Sequence, residues 1–533
     1  MRRIPRFFIL IPLLALAMGT ALAQPAPPLV WVVPSMQKVF KEDLAPAPAP
    51  ALVIELSAAR NETEAAQVVI RPSQPLTLTA AEARDLANAD GKILPSRNIE
   101  LLRVAYIYLP GQMRYYPDPL PPLQTPLDLA AGQNQPIWVS VHVPEGTPAG
   151  VYQGNITLTF SNQAAQQIPI RLTVWKFTIP LKPSMRTAFG IQYNYIAYQH
   201  HVPVDTPHYN ALKKKYYEML VAHGISPYYL PVDIDVPAQA APYLNDPRVT
   251  SYVIPWSENQ QTLRARVSYL RDAGWLQKGF FYVVDECVFK DQYDLAIQYA
   301  QKIQAIHPAL KIVATFFRAP DPVFAPGKTP YDLLKGYFNI WCPNTAYFDR
   351  DAMAARQQLG EEGWWYVCCG PLWPYANFFV DMEGIDHRIL FWQQKQFGVQ
   401  GLLYWSSNWW NPASTADPWT DIATIKDLGA AYINCYGDGS LLYPGYQAGV
   451  DGPVSSIRLE IIHDGMEDYE YLAKYESIFG PARMTELIGR HTTQFMRYFL
   501  KDAAKLEETR REIGQALDGA AQTGTVSLWT LYD

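Results

Sequence analysis

The sequence has little of what usually announces a cofactor, a disulfide framework or a nucleic-acid partner. Five cysteines, Cys287, Cys342, Cys368, Cys369 and Cys435, are spread over 533 residues. The number is odd and the density far below that of a disulfide scaffold, so at most an isolated bridge is compatible with it, and the spacing favours no pairing. No CxxC or clustered histidine spacing offers a zinc site. No glycine-rich phosphate loop and no Ser-His-Asp order stands out, so no cofactor and no metal are expected. Histidines number nine, and the adjacent His200 and His201 read as loop residues. The net charge is -6, and no basic patch is large enough for a nucleic-acid footprint. Beyond the N-terminus no stretch reads as a transmembrane helix.

The N-terminus reads as an address. Arg2, Arg3 and Arg6 precede an apolar run from Phe7 to Met18, and Ala21-Leu22-Ala23 offers a small-x-small cleavage site before Gln24. This is the pattern of a bacterial secretory signal peptide, too short and wrongly flanked for a stable span. The residue after the cleavage site is Gln24, which excludes a Cys-anchored lipoprotein. The mature protein is expected to be exported, to the periplasm or the medium.

Two periodicities divide the rest. Ile168, Ile170, Leu172 and Val174 alternate with Pro169, Arg171, Thr173 and Trp175, and Ile156, Leu158 and Phe160 alternate with Asn155, Thr157 and Thr159. Period-two alternation means strands with one buried face, and several such strands separated by turn signals read as a β-sandwich. From about residue 185 short apolar strands alternate with helical stretches. Strands are expected near Thr187–Tyr193, Ser226–Pro231, Ser251–Ile254, Phe280–Val284, Ile312–Thr315, Phe338–Cys342, Trp365–Cys369 and Gly401–Ser406. Helices are expected over Asn259–Ala273, Gln292–Ile306 and Ile385–Phe397. This alternation is the signature of a (β/α)8 barrel. The chain therefore divides into a signal peptide (1–23), a β-sandwich (24–183), a (β/α)8 barrel (184–430) and a mainly helical C-terminal extension (431–533).

In such a barrel the active site lies at the C-terminal ends of the strands, which turns strand reading into a search rule. The fourth strand runs straight into Asp285-Glu286. Two acids directly after a buried apolar strand are costly unless they are used or paired. A helix cap or an arginine partner would be the structural explanation, a catalytic carboxylate pair the functional one. Other strand ends carry Tyr193 and Asn194; Asp233 and Asp235; Trp256 and Glu258; Trp341, Asn344, Tyr347 and Asp349; Trp373; and Tyr404, Trp405 and Asn408. Nine of the 15 tryptophans fall between Trp341 and Trp419. Large aromatics fill cores, and they also offer flat faces to the C–H faces of sugars. Rings, amides and carboxylates converging on one face suit a polyhydroxylated ligand.

At this point the motifs resemble glycoside hydrolase family 123. The resemblance rests on the run from Ala59 to Gln67, on Pro136 to Pro144 followed by Pro148 to Tyr152, on Asp285-Glu286, on Tyr404-Trp405, and on Ser456 to Glu460 followed by Asp464 to Leu472. The chain departs from the family pattern at His463, where arginine is common, and at Cys287, where proline is common. The resemblance implies a β-sandwich followed by a (β/α)8 barrel, and exo-acting β-N-acetylgalactosaminidase activity with retention. It maps the catalytic pair onto Asp285 and Glu286. Adjacent carboxylates suit a mechanism in which the sugar's own 2-acetamido oxygen attacks C1. Asp285 would orient the acetamido group, and Glu286 would act as general acid and then base. The implied partner is a glycan with a terminal N-acetylhexosamine; the oligomeric state stays open. Two alternatives remain: a glycosidase for another sugar using Asp233, Glu258 or Asp349 as nucleophile, and a glycan-binding protein without turnover. The group Arg458, Glu460, Asp464 and Asp468 reads as an ion-pair network docking the terminal helices on the barrel.

Overall fold

The computed structural model describes residues 26–48, 50–412, 417–422, 429 and 434–522. The expected signal peptide lies outside the described residues.

The N-terminal part is rich in sheet. Leu29–Pro34, Glu62–Arg71, Gln135–Val143 and Ile99–Arg103 form one antiparallel sheet in that order. A larger sheet carries Leu127–Leu129, Leu76–Ala83, Gly150–Phe160, Gln166–Thr178 and Ile54–Arg60 in that order, the last pair parallel. The alternating residues of the two sheets meet: Val68, Ile70, Ile137 and Val139 share one buried cluster with Ile156, Leu158, Ile170 and Leu172. Burying each such side chain contributes about 1.5–3 kcal/mol, which is what holds the two sheets face to face.

The middle of the chain holds parallel strands and helices. Arg186–Phe189, Gly401–Tyr404, Glu362–Val367, Ile340–Pro343 and Val313–Phe316 pair in that order as one parallel sheet, and Tyr252–Val253 pairs with Gly279–Phe280 in another. What is formed as regular sheet is thus a curled half. The connections on the other side are thinner. Pro227 bridges Phe189, Val253 N–H donates to Tyr228 C=O at 2.8 Å, and Phe281 bridges Ile312. The expected second strand, Ser226–Pro231, is reduced to that single bridge, because Pro227 and Pro231 carry no N–H for a ladder. The fourth is shorter than expected: regular pairing ends at Phe280, Phe281 keeps only its bridge to Ile312, and Tyr282 to Val284 lie outside any strand.

Helices form where the periodicity places them: Gln260–Asp272, capped by the Asn259 side chain, then Lys290–Gln304 and Gly384–Gln396. The C-terminal helices are Ile457–Phe479, begun by the Ser456 side chain, Pro481–Ile488 and Ala503–Gln522. Ile457–Phe479 begins eleven residues earlier than its amphipathic stretch from Asp468 indicates, because its first half is buried between the parallel strands and the N-terminal sheets. Gly465 lets it approach Gly384–Gln396 closely, since a Cβ there would stand 2.3 Å from Phe391. Among the described residues no helix is long and apolar enough to cross a membrane.

Buried ion pairs lock these parts together. Arg510 donates to Asp468 at 2.9 Å and pairs with Glu62 and Glu64 on the strand Glu62–Arg71. Arg388 pairs with Asp468 at 2.6 Å and with Asp464 at 3.4 Å. Thr63 N–H donates to Glu467 at 3.0 Å. The run from Ala59 to Gln67, singled out in the sequence, is therefore the seam between the N-terminal sheets and the terminal helices.

Candidate active site

Side chains of a strand alternate between two faces. In the parallel strands one face points to a shared interior. Ala188, Tyr228, Val253, Phe280, Val313, Ile340, Cys342, Trp364, Tyr366 and Leu403 form one buried cluster, with Tyr282 and Cys368 packed against it. Each of the eight expected strand segments contributes to it. The opposite face, with Phe281, Ala314 and Trp341, packs on the helices.

Asp285 and Glu286 stand where this interior opens. Glu286 has a φ of 47°, the left-handed region that a residue with a Cβ seldom adopts. Such strain gathers at functional sites, where surrounding contacts impose it. Here it turns the chain sharply, and both carboxylates are met by side chains of the interior. Tyr282 O–H donates to Asp285 Oδ1 at 2.6 Å, and Thr315 Oγ1–H donates to the same oxygen at 2.7 Å. Thr315 Oγ1 also accepts Glu286 N–H at 3.2 Å. Tyr366 O–H donates to Glu286 Oε1. Asp285 is exposed and Glu286 half-buried.

The electrostatics separate the two acids. Burial holds the Glu286 carboxyl above the usual carboxylate range; the Tyr366 hydrogen bond opposes this, and the nearby Asp285 charge adds to it. The direction is the one a general acid needs, and burial, not the Asp285 charge, is its main cause. Burial and the adjoining carboxylates also push the Tyr282 and Tyr366 hydroxyls well up, so both stay protonated donors.

A second group of residues builds an aromatic wall. Trp405 is half-buried, donates its indole N–H to Asp438 Oδ2 at 3.1 Å, and packs on Trp409 with ring centroids 5.0 Å apart. Tyr404 is fully buried and donates to Asp438 Oδ1 at 3.2 Å. Burial pushes the Asp438 carboxyl up to about 7. Trp373, after the strand Glu362–Val367, is 74 % exposed, and Asn194 is exposed on the short helix Tyr193–Gln199.

Several expected contacts go elsewhere. Trp341 is wholly buried on the helix-facing side, donates to Glu361 at 2.6 Å and lies under Arg356. Strand parity explains this, since Ile340 and Cys342 take the interior. Trp256 also faces the helices, against Phe281 and Tyr299, with its N–H on Glu258 at 2.9 Å. Asn344 is buried; its amide donates to Gly370 C=O at 2.9 Å and accepts from Ala346 N–H. Tyr347 packs edge-on to Phe316. Asn408 ties two loops, exchanging hydrogen bonds with the Gln192 backbone at 2.8 and 3.0 Å. Tyr193 donates to Tyr229 C=O at 2.9 Å. Of the three alternative nucleophiles, Asp349 caps the helix Arg350–Gln357, Glu258 is held by Trp256 and Lys302, and Asp233 accepts Asp235 N–H in a turn. His200 is buried, with Nε2 at 2.8 Å from Tyr216 Oη, and not a solvated loop residue. All five cysteines are unpaired. Among the described residues no group of His, Cys, Asp and Glu could hold a metal ion.

Tyr282, Thr315, Tyr366 and Asp438 are the residues of this site that strand-end reading passes over. For the first three the missing signal is parity: each lies two positions along its strand from an interior residue, namely Phe280, Val313 and Trp364.

Comparisons with known proteins bear on the family and the fold. The family pattern described as glycoside hydrolase 123, catalytic domain, matches residues 247–475, and the glycoside hydrolase 123 N-terminal domain matches residues 36–160. A family 123 glycoside hydrolase from Clostridium perfringens, whose structure addresses glycolipid glycan hydrolysis, superposes with a TM-score of 0.69 at 14% identity, over 93% of this chain and 98% of that one. At that identity the likeness is one of fold. A family 39 glycoside hydrolase from the gut symbiont Bacteroides cellulosilyticus WH2 is more distant: TM-score 0.33, 10% identity, 78% of this chain and 81% of that one. A GH2 β-galacturonidase from Eisenbergiella tayi is similarly remote: TM-score 0.30, 12% identity, 76% of this chain and 69% of that one. Both match too loosely to carry an argument. No curated protein matches the chain.

Proposed function

The chain belongs to glycoside hydrolase family 123, and from that premise we propose that it is an exported, exo-acting, retaining β-N-acetylhexosaminidase, with β-N-acetylgalactosamine as the sugar removed. The eight strand segments act as one (β/α)8 barrel whose mouth holds the site, behind an N-terminal β-sandwich. The shared interior cluster supports that closure, and the N-terminal leader supports export.

The observation that carries the mechanism is the adjacency of two carboxylates held by separate donors. A retaining enzyme with a protein nucleophile sets its two carboxyl groups about 5–5.5 Å apart, on facing sides of the scissile bond. The acids that could supply such a partner here, Asp233, Glu258 and Asp349, are engaged by a turn N–H, by Trp256 and Lys302, or by a helix N-terminus. The substrate's 2-acetamido oxygen is the nucleophile instead. Asp285 receives the acetamido N–H and balances the charge that forms on the ring. Its other partners, Tyr282 and Thr315, fix its orientation. Glu286, whose carboxyl burial holds above the usual carboxylate range, protonates the leaving oxygen, and then as carboxylate activates the water that opens the cyclic intermediate. Trp405 supplies a flat wall for the sugar.

A thiazoline analogue of the N-acetylhexosamine mimics the cyclic intermediate and tests this reading, because catalysis is binding of the transition state. It is expected to inhibit competitively and far more tightly than the free sugar binds. Activity untouched by saturating thiazoline would overturn the mechanism.

A further inference from the structure

Asp438 is a buried carboxylate outside the catalytic pair, 1% exposed, in a turn whose glycines leave no room for side chains. Gly439, at a φ of 68°, lies against the Trp405 ring; a Cβ there would come within 2.2 Å of the indole. The Trp405 N–H ends on Asp438 Oδ2 at 3.1 Å, and the Tyr404 hydroxyl ends on Oδ1 at 3.2 Å while accepting Gly439 N–H at 2.8 Å. The Trp409 backbone N–H donates to Gly439 C=O at 2.7 Å, and the Trp409 ring packs on Trp405. The turn is itself clamped: Arg458, fully buried and paired with Asp118, donates to the carbonyls of Gly437 at 2.8 Å and Ser440 at 2.6 Å.

Two facts set Asp438 apart from a simple turn residue. A turn acid ordinarily faces water. This one is taken out of water and given two side-chain donors that belong to consecutive residues at the end of a parallel strand. One of them, Tyr404, is fully buried and leaves the carboxylate no freedom to move. The other is the half-buried ring next to it, the part of the assembly that can meet a ligand. An indole has a single N–H, so one acceptor in a rigid place defines the rotation of the whole ring plane.

We propose that Asp438 is a positioning residue that fixes the plane of the Trp405 indole, and through it the sugar-stacking wall of the cleft. This rests on the glycosidase reading for what the wall does, but not for how the wall is held. Arg458 and Asp118 hold Asp438 in turn, so the C-terminal run from Ser456 to Glu460 reaches the cleft through this turn.

The test has one arm that needs no activity. In protein labelled with ¹⁵N-tryptophan, the Trp405 indole N–H signal, assigned by its loss in Trp405→Phe, is expected to shift in Asp438→Leu and to stay near its place in Asp438→Asn, which keeps an acceptor oxygen. An unshifted signal in Asp438→Leu overturns the proposal. In the kinetic arm, Asp438→Leu is expected to lower kcat/KM on a nitrophenyl β-N-acetylhexosaminide about tenfold or more, with Asp438→Asn recovering most of it. In the Trp405→Phe background the same substitution is expected to cost little further, because two residues acting through one contact are not additive. Full additivity overturns the proposal. If Asp438→Leu does not fold, benzothienylalanine at Trp405, which keeps the bicyclic ring and lacks the N–H, replaces it; unchanged kcat/KM then overturns the proposal. Wild-type protein inert on every N-acetylhexosaminide would sink the N-acetylhexosaminidase reading alone, and the indole signal would still decide the role of Asp438.

Discussion

Tyr366 donates its phenolic hydrogen to Glu286 from the strand Glu362–Val367, three places from Gly279–Phe280 when counted through the Phe281–Ile312 bridge, across the mouth of the parallel-strand interior. The bond favours the ionised carboxylate, whereas burial favours the neutral acid. A general acid must be protonated, so the alkaline limb of kcat/KM reports this balance. Removing the donor in Tyr366→Phe takes away a contribution that lowers the Glu286 pKa. The folded-state value then rises further, and the alkaline limb is expected to move to higher pH. A pH profile of kcat/KM on an activated substrate checks this; a limb that moves to lower pH would contradict it.

Glu286→Gln keeps the shape of the side chain and loses the transferable proton. Activity on a natural sugar aglycone is expected to fall about 10²–10⁴-fold, the usual worth of general acid help. A nitrophenolate leaves without protonation, so the loss there should be much smaller. Equal losses on both leaving groups would remove Glu286 from the acid role.

Asp285→Asn is expected to impair both leaving groups alike, because its charge supports the intermediate whatever departs. Thr315 offers a subtler probe: its hydroxyl donates to Asp285 and accepts the Glu286 N–H. Thr315→Val removes the donor to Asp285 and the acceptor of the Glu286 N–H together, and kcat/KM should drop about tenfold to a hundredfold. Unchanged kinetics in a stable Thr315→Val protein would show that the bridge does not order the pair.

How much of this was legible in the sequence follows from what each signal depends on. The alternation in Ile156–Phe160 and Ile168–Val174 depends only on local sequence, and both segments are strands of one sheet. Asp285-Glu286 was legible because a buried apolar strand ran straight into two acids. Trp341 misled because its place at a strand end says nothing of its parity, which sends it to the helix side. The tryptophan cluster divided the same way: Trp341, Trp364, Trp365, Trp392 and Trp410 are wholly buried, and Trp373, Trp405, Trp409 and Trp419 retain surface. Asp438 was invisible because Gly437-Asp438-Gly439 reads as an ordinary surface turn. Only tertiary packing against Trp405 and Arg458 buries it. The C-terminal acids read correctly as a network, though the partner of Arg458 is Asp118, more than 300 residues away in the chain.

The seam between the N-terminal sheets and the terminal helices gives a stability prediction. Arg510 is buried among Glu62, Glu64 and Asp468. Arg510→Met leaves Glu62 and Glu64 without their cation, while Asp468 keeps Arg388, and is expected to cost about 3–5 kcal/mol in unfolding free energy. Arg490 pairs with Glu512 at the surface, where both side chains are about half exposed, and Arg490→Ala should cost under about 1 kcal/mol. Denaturant unfolding of the two variants reads the contrast, and similar losses would contradict it.

The acetamido group is asked to do the work of a protein nucleophile, and a matched pair of substrates isolates it. Hydrolysis of nitrophenyl β-N-acetylgalactosaminide is measured beside nitrophenyl β-galactoside, identical except for a hydroxyl in place of the 2-acetamido group. With the attacking atom missing, the galactoside is expected to be inert while the N-acetylgalactosaminide is cleaved with retention. Efficient cleavage of the galactoside would contradict the mechanism.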